Sequence, residues 1–178
     1  MCAALGRHPI PDLVSCMGCG GTAPAMEGPT HRYMESSPGC WAVYGEVLAR
    51  EYSDPAFAAA HRQTVDAFAV QHPGQPSLQS IQSVGVHLVR LCLILERGFS
   101  DAAAGDAMKM IASRKAMLRW LIPPISMGPV TAVDVWRTNG AHEHVTAVRG
   151  WARSAWQAWA QHHAQVRRWV PPEFTSRT

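Results

Sequence analysis

Residues 40–72 read CWAVYGEVLAREYSDPAFAAAHRQTVDAFAVQH, and their spacing sets the fold class. Trp41, Tyr44, Leu48 and Tyr52 recur at intervals of three and four residues, the period of one face of a helix. Ser53-Asp54-Pro55 breaks the pattern and restarts it, with Ser53 or Asp54 as N-cap and proline in the first turn. The second helix places Phe57, His61, Val65, Phe68 and His72 on one stripe and stops at Pro73-Gly74. Two histidines thus occupy positions where apolar residues are expected.

Working outward, a third helix over about 77–97 is apolar around most of its circumference, as a central helix is, and Gly98 ends it. A fourth, over about 101–121, carries Met108, Ile111, Met117 and Leu118 and ends before Pro123-Pro124. Residues 129–137 alternate like a strand that has no evident partner, so they are expected to run as an extended connection. A last helix over 141–169 presents Val145, Val148, Ala152, Ala155, Trp159, His163 and Val166 at helical spacing. Trp151, Trp156 and Trp169 widen that stripe in the manner of a packed core.

Residues 1–39 are rich in Gly, Pro and Ser and show no period. The expected architecture is a single all-α domain over 1–178, with an irregular arm (1–39) held to a bundle of about five helices (40–178). A chain of 178 residues suffices for one domain with a sizeable core. The most apolar run, 84–95, is interrupted by His87 and Arg90, short of the ~20 apolar residues of a membrane-spanning helix. No long apolar stretch of a signal peptide appears near Arg7, His8, Pro9 and Pro11, and a cytoplasmic location is expected.

The chemistry lies in the cysteines. Five is an odd number, and in a reducing compartment thiols serve as ligands or inert core residues rather than as a disulfide framework. Cys92 lies in the apolar run as a small hydrophobe, and Cys2 lies at the terminus. Cys16-Met-Gly-Cys19-Gly-Gly is a knuckle in which two sulfurs can reach one ion from a tight turn, with glycines supplying backbone freedom. Cys40, after Pro38-Gly39, falls at the positive end of a helix dipole that favours its thiolate.

A fourth ligand must come from the helices. At ~1.5 Å per residue from a hinge near Ser53, Cys40 lies roughly 20 Å away, His61 roughly 12 Å and His72 roughly 28 Å. His61 is preferred, because an inward imidazole in mid-helix needs a polar partner, with His72 as the alternative. His31 is a spare candidate. His142 and His144, two apart, cannot share a helix face. Glu46, His61 and His87 fall at similar heights, but Glu46 projects away from the apolar stripe toward Arg50, and His87 borders a polar edge, so no hydrolytic centre is read there. A thioredoxin-like use of the CxxC would require a preceding strand and a helix opening at Cys16, and the pattern offers neither.

The runs Gly28-Pro-Thr-His-Arg-Tyr-Met34 and Ser36-Ser-Pro-Gly-Cys-Trp41, with His61 to His72 and the tryptophan-rich last helix, resemble a bacterial family of uncharacterised proteins, a domain of unknown function. The resemblance implies no activity, cofactor or partner. The residues themselves point to a zinc-binding helical protein with ligands Cys16, Cys19, Cys40 and His61, a structural metal and a binding or regulatory role. The alternative is a metal-dependent hydrolase-type enzyme with an open metal position and a histidine such as His72 as proton shuttle. No catalytic residue is assigned. The net charge of +3 is uneven: from Arg137 onward arginines outnumber acids six to two, so Arg149, Arg153, Arg167 and Arg168 could meet an acidic protein partner. No motif for nucleic acid accompanies them.

Overall fold

A computed structural model describes residues 12–174. Cys2 and Arg177 lie outside them. Most of the described chain is helical, with one small sheet in the N-terminal arm. That sheet is a correction to the irregular arm: β1 (Leu13–Ser15) pairs antiparallel with β2 (Thr22–Pro24), Val14 opposite Ala23. The loop between them is the cysteine knuckle. It closes through Gly20 N–H to Cys16 O and Cys16 N–H to Gly21 O, each 2.8 Å, and Gly20 adopts φ +74°, which an L side chain resists.

The first helix, α1 (Pro38–Ser53), begins where Ser37 Oγ accepts the backbone N–H of Cys40, with proline in the first turn. After Ser53, Asp54 caps a single turn, α2 (Pro55–Ala58), by accepting the N–H of Ala56 at 2.8 Å. Then α3 (His61–Gln71) starts afresh. The predicted second helix is therefore two pieces, parted at Ala59-Ala60.

α4 (Leu78–Leu91), capped by Ser77, runs on through a π turn, Cys92–Glu96. By length and composition Leu78–Glu96 would be apolar enough to cross a membrane; here it packs against α3, and half of its most apolar window is buried within the protein. α5 (Asp101–Ser113) and a 3-10 turn, Lys115–Met117, follow. Residues 129–137 do not form an extended connection. Thr131 and Asp134 make a reciprocal capping box that starts α6 (Ala132–Trp136), with Asp134 Oδ2 accepting Thr131 N–H at 2.8 Å. The last predicted helix divides into α7 (Ala141–Ala158) and α8 (His163–Trp169) around a 3-10 turn at Ala160–His162.

α3 is the centre, packed against α4 on one side and α7 on another, while α1 packs on α6. Phe68, Leu88, Leu91, Leu93, Trp151 and Trp159 are closed to solvent. Gln71 ties three segments together inside this core: its amide donates to Met127 O at 2.7 Å and Val130 O at 2.8 Å, and its oxygen accepts Trp151 Nε1–H at 2.7 Å. Trp159 Nε1–H donates to Val70 O, so the indoles of the last helices serve packing with their polar ends satisfied.

Candidate metal centre

The structure brings together Cys16, Cys19, Cys40 and His72, all buried, with their ligand atoms within 4.8 Å of one another. Cys16 closes β1, Cys19 sits in the hairpin loop, Cys40 in the first turn of α1, and His72 just past α3. Cys19 Sγ and Cys40 Sγ are 3.8 Å apart, and His72 Nε2 is 3.5 Å from both Cys16 Sγ and Cys40 Sγ. Backbone amides steady the sulfurs: Ser37 N–H points to Cys16 Sγ at 3.3 Å and Gly21 N–H to Cys19 Sγ at 3.4 Å. His72 Nδ1–H donates to Phe68 O at 2.7 Å, which leaves Nε2 as the atom facing the cysteines. The Phe68 ring stacks on that imidazole at 3.9 Å, and Tyr44 stacks on Phe68 at 3.8 Å. A Cβ on Gly18 would fall 2.1 Å from Glu35 O and 2.5 Å from His72 Cδ2, so only glycine lets the knuckle approach this closely.

Three thiols at this separation cannot all ionise without a cation. Sulfur hydrogen bonds from Cys19 and Cys40 pull the Cys16 thiol far down, and those same contacts, to Cys16 and Cys19, push Cys40 far up. Burial alone would lower His72, but its bonds to Cys16 and Cys19 outweigh that and raise it to about 9. The cluster is thus a set of soft donors competing for protons, and it could hold a metal ion.

His61 is not brought to the cysteines, a correction to the predicted ranking of the two histidines. It opens α3 at the hinge end, its Nδ1 2.8 Å from Glu51 Oε2 and its Nε2 3.2 Å from Tyr52 Oη. The height arithmetic failed because it ran one helix from the hinge to His72, whereas α2 and α3 are separate pieces. Counted from the start of α3, His72 lies roughly 18 Å from the hinge, level with Cys40 at roughly 20 Å. Glu51 escaped sequence reading altogether: its fully buried carboxylate also takes Thr64 Oγ1–H at 2.5 Å and lies 2.9 Å from His144 Nε2. Its signal, an acid in the last turn of the helix and facing inward at the period of Tyr44 and Val47, was available in the sequence.

The other candidates are placed apart. Glu46 accepts Trp136 Nε1–H, and Arg50 donates to the carbonyls of Trp136 and Thr138. His87 pairs with Asp66, and His31 packs on Tyr33 and Trp41. Cys92 is buried beside Glu96, and that burial pushes its thiol up to about 11, as in an inert core cysteine. Arg167 is engaged by Glu96 through two 2.8 Å bonds, while Arg149, Arg153 and Arg168 are exposed.

A mainly helical domain with a buried cluster of three cysteines and one histidine at the loop of its N-terminal hairpin is the class that fold and site define. The chain belongs to a family of unknown function, DUF5946, whose profile matches residues 14–160 and so takes in all four clustered side chains. No curated protein and no solved structure matches the chain.

Proposed function

We propose that Cys16, Cys19, Cys40 and His72 hold one zinc ion, and that the ion is structural, clasping the N-terminal hairpin to the ends of α1 and α3 in a protein with a binding or regulatory role. The observation that carries this reading is a pair of distances. A tetrahedral ion with Zn–S ~2.3 Å and Zn–N ~2.0–2.1 Å sets two sulfurs about 3.8 Å apart and sulfur and nitrogen about 3.5 Å apart. The cluster has 3.8 Å and 3.5 Å.

Four protein donors fill a tetrahedral sphere, and this weighs against the open position that a hydrolase-type centre needs. Element analysis after mild dialysis tests the proposal. About one zinc per chain, lost in His72→Ala and retained in His61→Ala, supports it. Absence of a transition metal, with the three clustered thiols freely titratable under native conditions, overturns it.

A further inference from the structure

A cavity opens onto one side of the cysteine cluster. It measures about 430 Å³ and lies between the hairpin loop and α6. Of the four clustered residues it is lined by Cys19 alone, which is 7 % exposed, against 2 % for Cys16, 0 % for Cys40 and 1 % for His72. The glycine after Cys19 keeps this side open: a Cβ on Gly20 would meet nothing within 4 Å, whereas one on Gly18 would have no room beside Glu35 and His72. Thr22, Ser126, Thr131, Asp134 and Arg137 make the wall polar, so the space admits water and small polar solutes.

Behind the opening, a second sulfur touches the first. Cys19 Sγ and Cys40 Sγ are 3.8 Å apart, against ~2.05 Å in a disulfide. Cys40 is fixed in the first turn of α1, while Cys19 sits in a loop between two three-residue strands, so the loop is the part that has to move. A thiolate that ligates a metal is already deprotonated, and the thiolate is the nucleophilic form of cysteine. A solute entering the cavity therefore meets an electron-rich sulfur with a resolving thiol beside it, the arrangement of an oxidant-sensitive pair.

We propose that Cys19 is an oxidation site for a small polar hydroperoxide, that Cys40 resolves it, and that the resulting disulfide releases the ion and frees the hairpin. The inference rests on the zinc reading above. The Cys19 thiolate attacks one peroxide oxygen: an S–O bond forms, the O–O bond breaks and hydroxide leaves, so the sulfur is oxidised by two electrons and the peroxide reduced. The Cys40 thiolate then attacks the Cys19 sulfur. The S–S bond forms, the S–O bond breaks and a second hydroxide leaves, both hydroxides being protonated by the buffer. Cys16 and His72 remain, two donors where a tetrahedral ion needs four. A CxxC by itself would pair Cys16 with Cys19; the cavity and the sulfur contact select Cys19 with Cys40.

The test uses the full chain as purified, its zinc content measured first, treated with less than one equivalent of hydrogen peroxide. Zinc release is followed with a chromophoric dye, and disulfides are mapped by mass spectrometry after rapid alkylation. One zinc released per disulfide is expected, with Cys19–Cys40 the first pair. With dimedone present, sulfenic acid should be trapped at Cys19 in at least about tenfold excess over Cys16 and Cys40. Gly20→Asn, which tolerates the positive φ and places a side chain in the open space, is expected to slow oxidation about fivefold with zinc content unchanged. A different first disulfide, sulfenic acid trapped first at Cys16 or Cys40, or a zinc-loaded Gly20→Asn oxidised at the parent's rate overturns the proposal. So does a zinc-loaded protein whose clustered thiols outlast free glutathione in the same peroxide. A chain that holds no zinc as purified overturns the metal reading and with it the release of the ion, while the disulfide map still decides the pairing.

Discussion

Leu13, Val14, Met17 and Met26 of the N-terminal arm are exposed, whereas Phe68, Leu88, Leu91 and Trp151 of the helical core are closed to solvent. The arm's buried side chains are few and small, with Cys16, Cys19 and Ala23 in its hairpin and Ser36 and Ser37 where it meets α1. Hydrophobic burial therefore holds the core, and on the proposed reading an ion in the cysteine cluster does much of the work of holding the arm. The difference teaches where a ligand bond can do what packing does elsewhere. A hairpin of three-residue strands is too small to be stable alone, so its order should follow the ion while the core's does not.

The largest effect expected of that contrast is on metal removal. Chelation should make residues 12–37 sensitive to protease and leave most of the helical circular dichroism in place. Loss of the helical signal would mean that the ion supports the core as well; continued protection of the arm after verified metal loss would mean that packing holds it. His72→Ala, which removes a direct donor, should weaken zinc retention by about a hundredfold or more, against little change in His61→Ala.

Next in size is Phe68→Ala, which empties the centre of the core and removes the ring stacked on both Tyr44 and His72. A loss of about 3–5 kcal/mol in chemical denaturation is expected. Because Phe68 also backs the imidazole, zinc should be released at lower denaturant than in the parent. If stability falls while zinc retention is unchanged, the ring supports the core alone.

Zinc affinity should also depend on pH, with a sign that follows from His72. Its imidazole is raised to about 9 in the metal-free cluster and Cys40 is pushed up too, so below that pH both hold protons that the ion must displace. Affinity should rise with pH from neutrality toward about 9, by roughly tenfold per pH unit for each proton released. Competition with a chromophoric chelator at several pH values measures it, and a flat profile would show that the donors are already deprotonated. The smallest effect is expected at the arm's exposed face, where Leu13→Ala should change stability by no more than about 0.5 kcal/mol.

Local chemistry made much of this molecule legible in the sequence. The knuckle glycines, the Pro38 start of α1, the break at Ser53-Asp54-Pro55 and the stop at Pro73-Gly74 are each written in residues that act on their own backbone. Thr131-Ala-Val-Asp134 also carried a capping signal, but the alternation around it read as a strand. The three cysteines could be grouped because two share one turn and the third opens a helix.

Only the tertiary structure decided which histidine joins them. The interruption at Ala59-Ala60 contains no glycine or proline to announce it, yet it removes roughly 9 Å of assumed helix length and carries His72, not His61, to the level of Cys40. The burial of Asp66 was decided in the same way, by partners such as Arg90 far off in sequence. Caps and turns are set by neighbours along the chain, whereas the meeting of side chains depends on the relative height of separate helices. A single unsignalled break shifts that height for everything beyond it.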